Sequence, residues 1–87
     1  PTSYSLSQNY PNPFNPTTTI EFALPVAGQY NLTIYNITGQ VVESFDGSAD
    51  AGVVSIVWDA SRYSSGVYFY KLEAGTFSAT RKMVLIK

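Results

Sequence analysis

Thr18-Thr19-Ile20-Glu21-Phe22-Ala23-Leu24-Pro25-Val26-Ala27-Gly28-Gln29-Tyr30-Asn31-Leu32-Thr33-Ile34 decides the fold class. Two alternating runs flank a turn. Ile20, Phe22 and Leu24 point one way and Thr19, Glu21 and Ala23 the other, the period-two signature of a strand with one buried face. Pro25-Val26-Ala27-Gly28 breaks the run, because proline lacks an N–H to donate and glycine admits turn geometry. Tyr30, Leu32 and Ile34 then form a second inward row, ended by Thr38-Gly39, where Gly39 supplies the positive φ that a side chain resists.

The same pattern continues outward. A short strand is predicted over Gln40–Phe45, followed by a polar loop from Asp46 to Gly52. Val53–Asp59 sets Val54, Ile56 and Trp58 on one face, and Val67–Ala74 sets Tyr68, Tyr70 and Leu72 together. Asp59–Gly66 reads as an irregular connection, and Ala74-Gly75 turns the chain into a last strand over Thr76–Ile86. A short extra strand at Tyr4–Ser7 brings the number to about seven. Turns recurring every ~8–12 residues point to an all-β, immunoglobulin-like sandwich of antiparallel strands with no disulfide. In the last strand Phe77, Ala79, Met83 and Leu85 share one face, while Val84 and Ile86 take the other.

Ahead of the first strand stands Tyr10-Pro11-Asn12-Pro13-Phe14-Asn15-Pro16. Three prolines in six residues exclude helix and central strand, and each biases its predecessor toward extended backbone. Residues 1–17 are therefore expected to form an extended lead-in that resists pairing, and residues 18–87 the sandwich core of a single domain.

Composition bounds the function. The 87 residues provide for one domain, with 45% hydrophobic and 15% aromatic side chains to build its core. Five basic and six acidic residues leave a net charge of −1, which gives no footprint for nucleic acid. No apolar run approaches the ~18 residues of a membrane span, and no secretion signal opens the chain. A first residue Pro1 points to a piece of a longer protein, covalently linked to an upstream domain. Cysteine and histidine are both absent, which removes thiolate chemistry, the commonest general base and the commonest metal ligand. No catalytic residues, metal ligands or cofactor-binding residues are assigned. The acids Glu21, Glu43, Asp46, Asp50, Asp59 and Glu73 read as solvated positions, with Asp46, Asp50 and Asp59 the one set of oxygen donors to weigh for calcium. Asn31-Leu32-Thr33 and Asn36-Ile37-Thr38 match the glycosylation acceptor pattern but read as ordinary strand and turn residues. Outward apolar residues Tyr35, Val53, Val57 and Phe69 form a candidate exposed patch for a partner or a polysaccharide.

An ordered set of short motifs adds to this. Leu6-Ser7-Gln8-Asn9-Tyr10-Pro11-Asn12-Pro13-Phe14-Asn15-Pro16, Gly39-Gln40, Trp58-Asp59, Ser65-Gly66-Val67-Tyr68-Phe69-Tyr70 and Thr80-Arg81-Lys82-Met83-Val84 follow one another along the chain. From Leu6 to Lys87 the sequence resembles the type A C-terminal sorting domains of bacterial type IX secretion substrates. It is also similar to the Ig-like domain of flagellar hook-capping proteins. The resemblance implies a noncatalytic module that directs a secreted parent protein across the outer membrane of a Gram-negative-type bacterium to secretion or surface attachment. The partners it implies are the type IX machinery and a surface peptidase. Asn12, Pro13, Gly39, Gly66, Tyr68, Lys82, Met83, Val84 and Lys87 are the candidate recognition residues. A carbohydrate-binding or adhesion module built on the outward aromatics is the alternative.

Overall fold

The computed structural model describes residues 1–87 and contains seven strands and no helix. They are β1 (Ser5–Leu6), β2 (Thr17–Leu24), β3 (Gly28–Tyr35), β4 (Val41–Ala49), β5 (Gly52–Asp59), β6 (Gly66–Ala74) and β7 (Phe77–Leu85). Every strand pair is antiparallel, in two sheets ordered β1-β2-β5 and β4-β3-β6-β7. This is the expected Ig-like sandwich. The inward rows meet as alternation requires: Ile20, Phe22 and Leu24 from one sheet face Leu32, Ile34, Tyr70, Leu72, Met83 and Leu85 from the other, all buried. Tyr30 is half-buried, its ring edge-on to Phe22 at 5.0 Å.

Two local expectations change. β4 runs through Asp46 to Ala49, where a polar loop was expected. Its ladder with β3 continues through Asn31↔Asp46, Tyr30↔Gly47 and Gly28↔Ala49, so backbone pairing overrides a composition that favours turns. The Tyr30 ring lies over Gly47, where a Cβ would stand 2.8 Å from its Cζ, so a side chain there would make the ring shift.

The proline-rich segment is not an extended lead-in. It bends through residues 11–13 and 15–16, bridges Tyr10 to Thr19 and bridges Phe14, in parallel, to Leu85. Its three X-Pro peptide bonds are cis. Leu6 and Phe14 both belong to the core. The segment bends because it has partners on two sides, and bringing Phe14 inside buries a large apolar ring.

Between β1 and the prolines the chain is held by a buried polar network. The Tyr70 hydroxyl donates to the Ser7 carbonyl at 2.7 Å and accepts from the Asn9 N–H at 2.8 Å. Asn9 Nδ2 donates to Thr18 Oγ1 and to the Pro11 carbonyl, and Thr18 Oγ1 donates to the same carbonyl. Asn9, Thr18 and Tyr70 are all buried, so each group depends on the others for its partners. Burial pushes the Tyr70 phenol above its ordinary pKa, against smaller opposing effects of the Asn9 N–H and the Arg81 charge.

Tyr70→Phe should cost about 1–3 kcal/mol at neutral pH, because it leaves the Asn9 N–H and Ser7 C=O unpaired. The pH dependence has a definite sign. Below the unfolded tyrosine value of about 10, both states are neutral and the Tyr70 contribution is intact. Above it the unfolded chain ionises first, so stability falls as pH rises toward the higher folded value. Urea melts at successive pH values above about 9 should show that decline in the parent and a shallower one in Tyr70→Phe.

Candidate functional site

The opening and closing motifs, about seventy residues apart in sequence, form one structure along the outer edge of β7. Phe14 donates its N–H to the Val84 carbonyl at 3.0 Å, and Ile86 donates to the Phe14 carbonyl at 2.9 Å. Asn12 Oδ1 accepts the Val84 N–H at 3.0 Å. Farther back, Gln8 Nε2 donates to the Lys82 carbonyl at 2.7 Å and Arg81 Nε to the Leu6 carbonyl at 2.6 Å. Residues 6–14 thus take up edge groups of β7 that would otherwise face water. Of the candidate residues, Asn12 holds the Val84 N–H through its side chain, the Lys82 carbonyl is held by Gln8, and Pro13 lies exposed between Asn12 and Phe14.

Beneath this clasp lies an aromatic cluster. Phe14 sits 5.9 Å from Trp58, and Trp58 is 5.6 Å from both Tyr63 and Tyr68. Tyr68, directly opposite Met83 in the β6–β7 ladder, donates its hydroxyl to the Ser64 carbonyl at 2.7 Å. Burial raises the Tyr68 pKa, helped by the neighbouring Tyr63. The Tyr63 hydroxyl reaches across to the Val42 carbonyl at 2.8 Å, tying the connection between β5 and β6 to β4. Trp58 Nε1 is buried without a hydrogen-bond acceptor among these rings.

The chain terminus is held on the far side by the same connection. Lys87 donates its backbone N–H to Ser65 Oγ at 3.1 Å and its ammonium to the Ser61 carbonyl at 2.7 Å. The Asp59 carboxylate accepts the Ser61 N–H at 3.0 Å. That bond, a second from the Ser61 side chain and the Lys87 charge lower its pKa against slight desolvation. Residues 82–87 therefore run between the Asn12–Phe14 clasp and the Ser61–Ser65 loop.

The remaining candidates fall out as follows. Met83 is fully buried, whereas Lys82 is exposed and Val84 half-buried on the outer face. Gly66, with φ +151°, opens β6 opposite Leu85. Gly39, with φ +85°, belongs to the β3–β4 turn, which closes on itself through Asn36 Oδ1 accepting from the Thr38 and Gln40 N–H groups. The four residues of the candidate patch are not brought together. Tyr35 and Phe69 are neighbours on the outer face of the four-stranded sheet, while Val53 and Val57 lie on β5 in the other sheet. Alternation assigns residues to outward faces but not to a common sheet. Asp46, Asp50 and Asp59 do not gather either: Asp50 precedes β5 and Asp59 ends it, about 25–30 Å of strand apart. No group of three or more acidic side chains is positioned to hold a metal ion. Asn9, Gln8 and Arg81 carry the clasp without having been singled out.

A match to a known family bears on this geometry. The model of the secretion system C-terminal sorting domain covers residues 8–87, which takes in both halves of the clasp. The chain belongs to that family. No curated protein matches it. As a sorting domain of type IX secretion, it is a signal recognised by that machinery, and proteins carrying such domains are secreted or surface-attached in bacteria. No helix is long and apolar enough to cross a membrane.

Two substitutions separate the parts of the clasp. Phe14→Ala should cost about 3–5 kcal/mol by emptying a core position. Asn12→Ala should cost only about 1 kcal/mol and leave the core intact. Amide hydrogen exchange should then quicken at Val84, whose acceptor is lost, much more than at Ile86, whose acceptor is the Phe14 carbonyl.

Proposed function

We propose that this domain is read by the type IX machinery in its folded form, at the pole where the clasp and the chain terminus meet. The observation that carries the reading is the Asn12–Val84 and Phe14–Ile86 bonding, which makes one surface from the first and last motifs. On that surface Lys82, Lys87, Asn12 and Pro13 are exposed and available for contact. Met83, Tyr68, Gly66 and Gly39 act instead through the fold, by filling the core or permitting turns.

In this reading the domain carries its parent protein across the outer membrane of a Gram-negative-type bacterium and contributes no catalysis. The titratable side chains support that role: none of the acids is buried, and the two tyrosines with raised pKa values have their hydroxyls engaged by backbone groups. Surface attachment after removal of the domain by a surface peptidase completes the proposed route. The bond that peptidase cuts would lie outside the clasped core, where the backbone is accessible.

Fusion of residues 1–87 to a periplasmic reporter, in a host with a working type IX system, tests this. The reporter should reach the cell surface, and should stay periplasmic when the secretion system is deleted. Lys82→Glu should reduce export several-fold with an unchanged melting temperature, since an exposed charge contributes little to stability. Surface delivery that persists without the secretion system would sink the proposal. Undiminished export of Lys82→Glu would remove Lys82 from the recognised surface.

A further inference from the structure

The sandwich has four strand edges, and three are protected. β7 is covered by residues 6–14, as described above. β1 is only two residues long. β4 carries Glu43 and Asp46, has a register shift opposite Ile34 and Tyr35, and gives its Val42 carbonyl to the Tyr63 hydroxyl. Short length, charge, bulges and covering segments are the usual devices against strand addition. Between Val53 and Trp58 β5 has none of them, its one charge, Asp59, standing at the strand end. It pairs with β2 over eight residues in unbroken register, and Val53-Val54-Ser55-Ile56-Val57-Trp58 contains no charge, proline or glycine.

The hydrogen-bond phase shows which groups of β5 are open. Thr19 exchanges both backbone bonds with Tyr10, and the Glu21 carbonyl accepts from Ser7. Those residues of β2 therefore face away from β5, and the alternate ones, Thr18, Ile20 and Phe22, bond to it. Their partners are Trp58, Ile56 and Val54. It follows that Val53, Ser55 and Val57 direct their N–H and C=O groups outward from the open edge.

We propose that this edge pairs with the same edge of a second copy of the chain. The sequence around Ser55 is self-complementary: an antiparallel two-fold through that residue sets Ser55 against Ser55 and Val53 against Val57 of the second copy. About six backbone hydrogen bonds then close three open positions on each side. The outward rows meet as β-branched valines, exposed by 66% at Val53 and 62% at Val57 in the single chain. Between Val53 and Val57 no like charges oppose one another: Glu21, which accepts from Ser55 Oγ, stays one strand back, and its counterpart is then about 14 Å away, beyond effective screening distance. At each end the same two-fold sets Asp59 opposite Ala51 of the second copy, beside its Asp50, and this approach of exposed acids weakens the contact. The contact also covers the flank where the sheets are least closed, with Val54 and Ile56 of β5 and Phe45 and Ala49 of β4 half-buried against the core. Such a contact is smaller than the ~1,200–2,000 Å² of stable complexes, so the dimer is weak and concentration-dependent. The pairing is independent of the sorting role.

Sedimentation and amide exchange on the 87-residue chain, from about 10 μM to 1 mM, test it. Association should appear toward the upper end, with protection gained at the Val53, Ser55 and Val57 amides. Ser55→Pro removes an outward N–H while leaving the β2 ladder intact, and should abolish association. Val53→Lys/Val57→Lys opposes like charges and should weaken it at least about tenfold, whereas Val53→Lys/Val57→Glu opposes unlike charges and should preserve it. Circular dichroism verifies that each variant folds. A chain that stays monomeric throughout, or that associates equally as Val53→Lys/Val57→Lys, overturns the proposal. So does protection of these amides that arises only when an extended peptide of unrelated sequence is added.

Discussion

The bond pair between Phe14 and the end of β7 is the constraint on which the rest of this sandwich depends. An 87-residue chain without disulfides buries a modest fraction of its surface and has only about 5–15 kcal/mol of stability to lose. Its last strand lies at a sheet edge, paired on one side only with β6. Phe14 answers both needs at once, since its backbone pairs with Val84 and Ile86 while its ring packs on Trp58. Burial of one phenylalanine is worth a few kcal/mol, comparable with much of the net stability. Trp58 in turn touches Tyr63 and Tyr68, so the clasp, the irregular connection and the core of β6 rise or fall together.

The Tyr70 network makes this placement specific as well as favourable. Apolar burial alone would tolerate some sliding of residues 6–14 along the edge, because it has little directional character. Asn9, Thr18 and Tyr70 do not tolerate it, since a shift would leave buried donors and acceptors without partners. Hydrophobic burial draws the segment in, and the polar network fixes its register.

How much of this was legible in the sequence follows from the range of the signal. Alternation marks Ile20, Phe22 and Leu24, or Tyr68, Tyr70 and Leu72, from their own neighbours, and every one of these is buried. Asp46–Ala49 misled because its small and acidic residues signal a turn locally, while Asn31, Tyr30, Gln29 and Gly28 across the ladder supply what makes it a strand. The clasp left no local trace: Asn12 and Val84 are bonded partners separated by nearly the whole chain. The proline spacing said truthfully that residues 10–16 are neither helix nor central strand, but not that they pair with a strand edge. Strand order likewise decided that Tyr35 and Phe69 share one surface while Val53 and Val57 lie together on the other sheet.

Joining the two ends has a consequence for a sorting signal. Lys82 and Lys87 are short-range features of the terminus, yet their setting is built by residues far upstream. The Lys82 carbonyl is held by Gln8, and the terminal lysine by Ser61 and Ser65. In an unfolded chain these elements would be dispersed over a fluctuating coil, and no surface containing both Asn12 and Lys82 would persist. The folded domain presents that surface continuously, and its presentation requires Phe14 seated, Tyr70 engaged and β7 paired. In the proposed reading, an address assembled this way is tied to completion of the core, so a substitution such as Phe14→Ala would disturb recognition without touching a residue of the proposed surface. Deleting the terminal residues removes both the surface and part of the support for β7, whereas changing an exposed charge at Lys82 alters the surface alone. The separation between those two kinds of change follows from geometry: the side chains of β7 that face inward carry stability, and those that face outward are free to carry information.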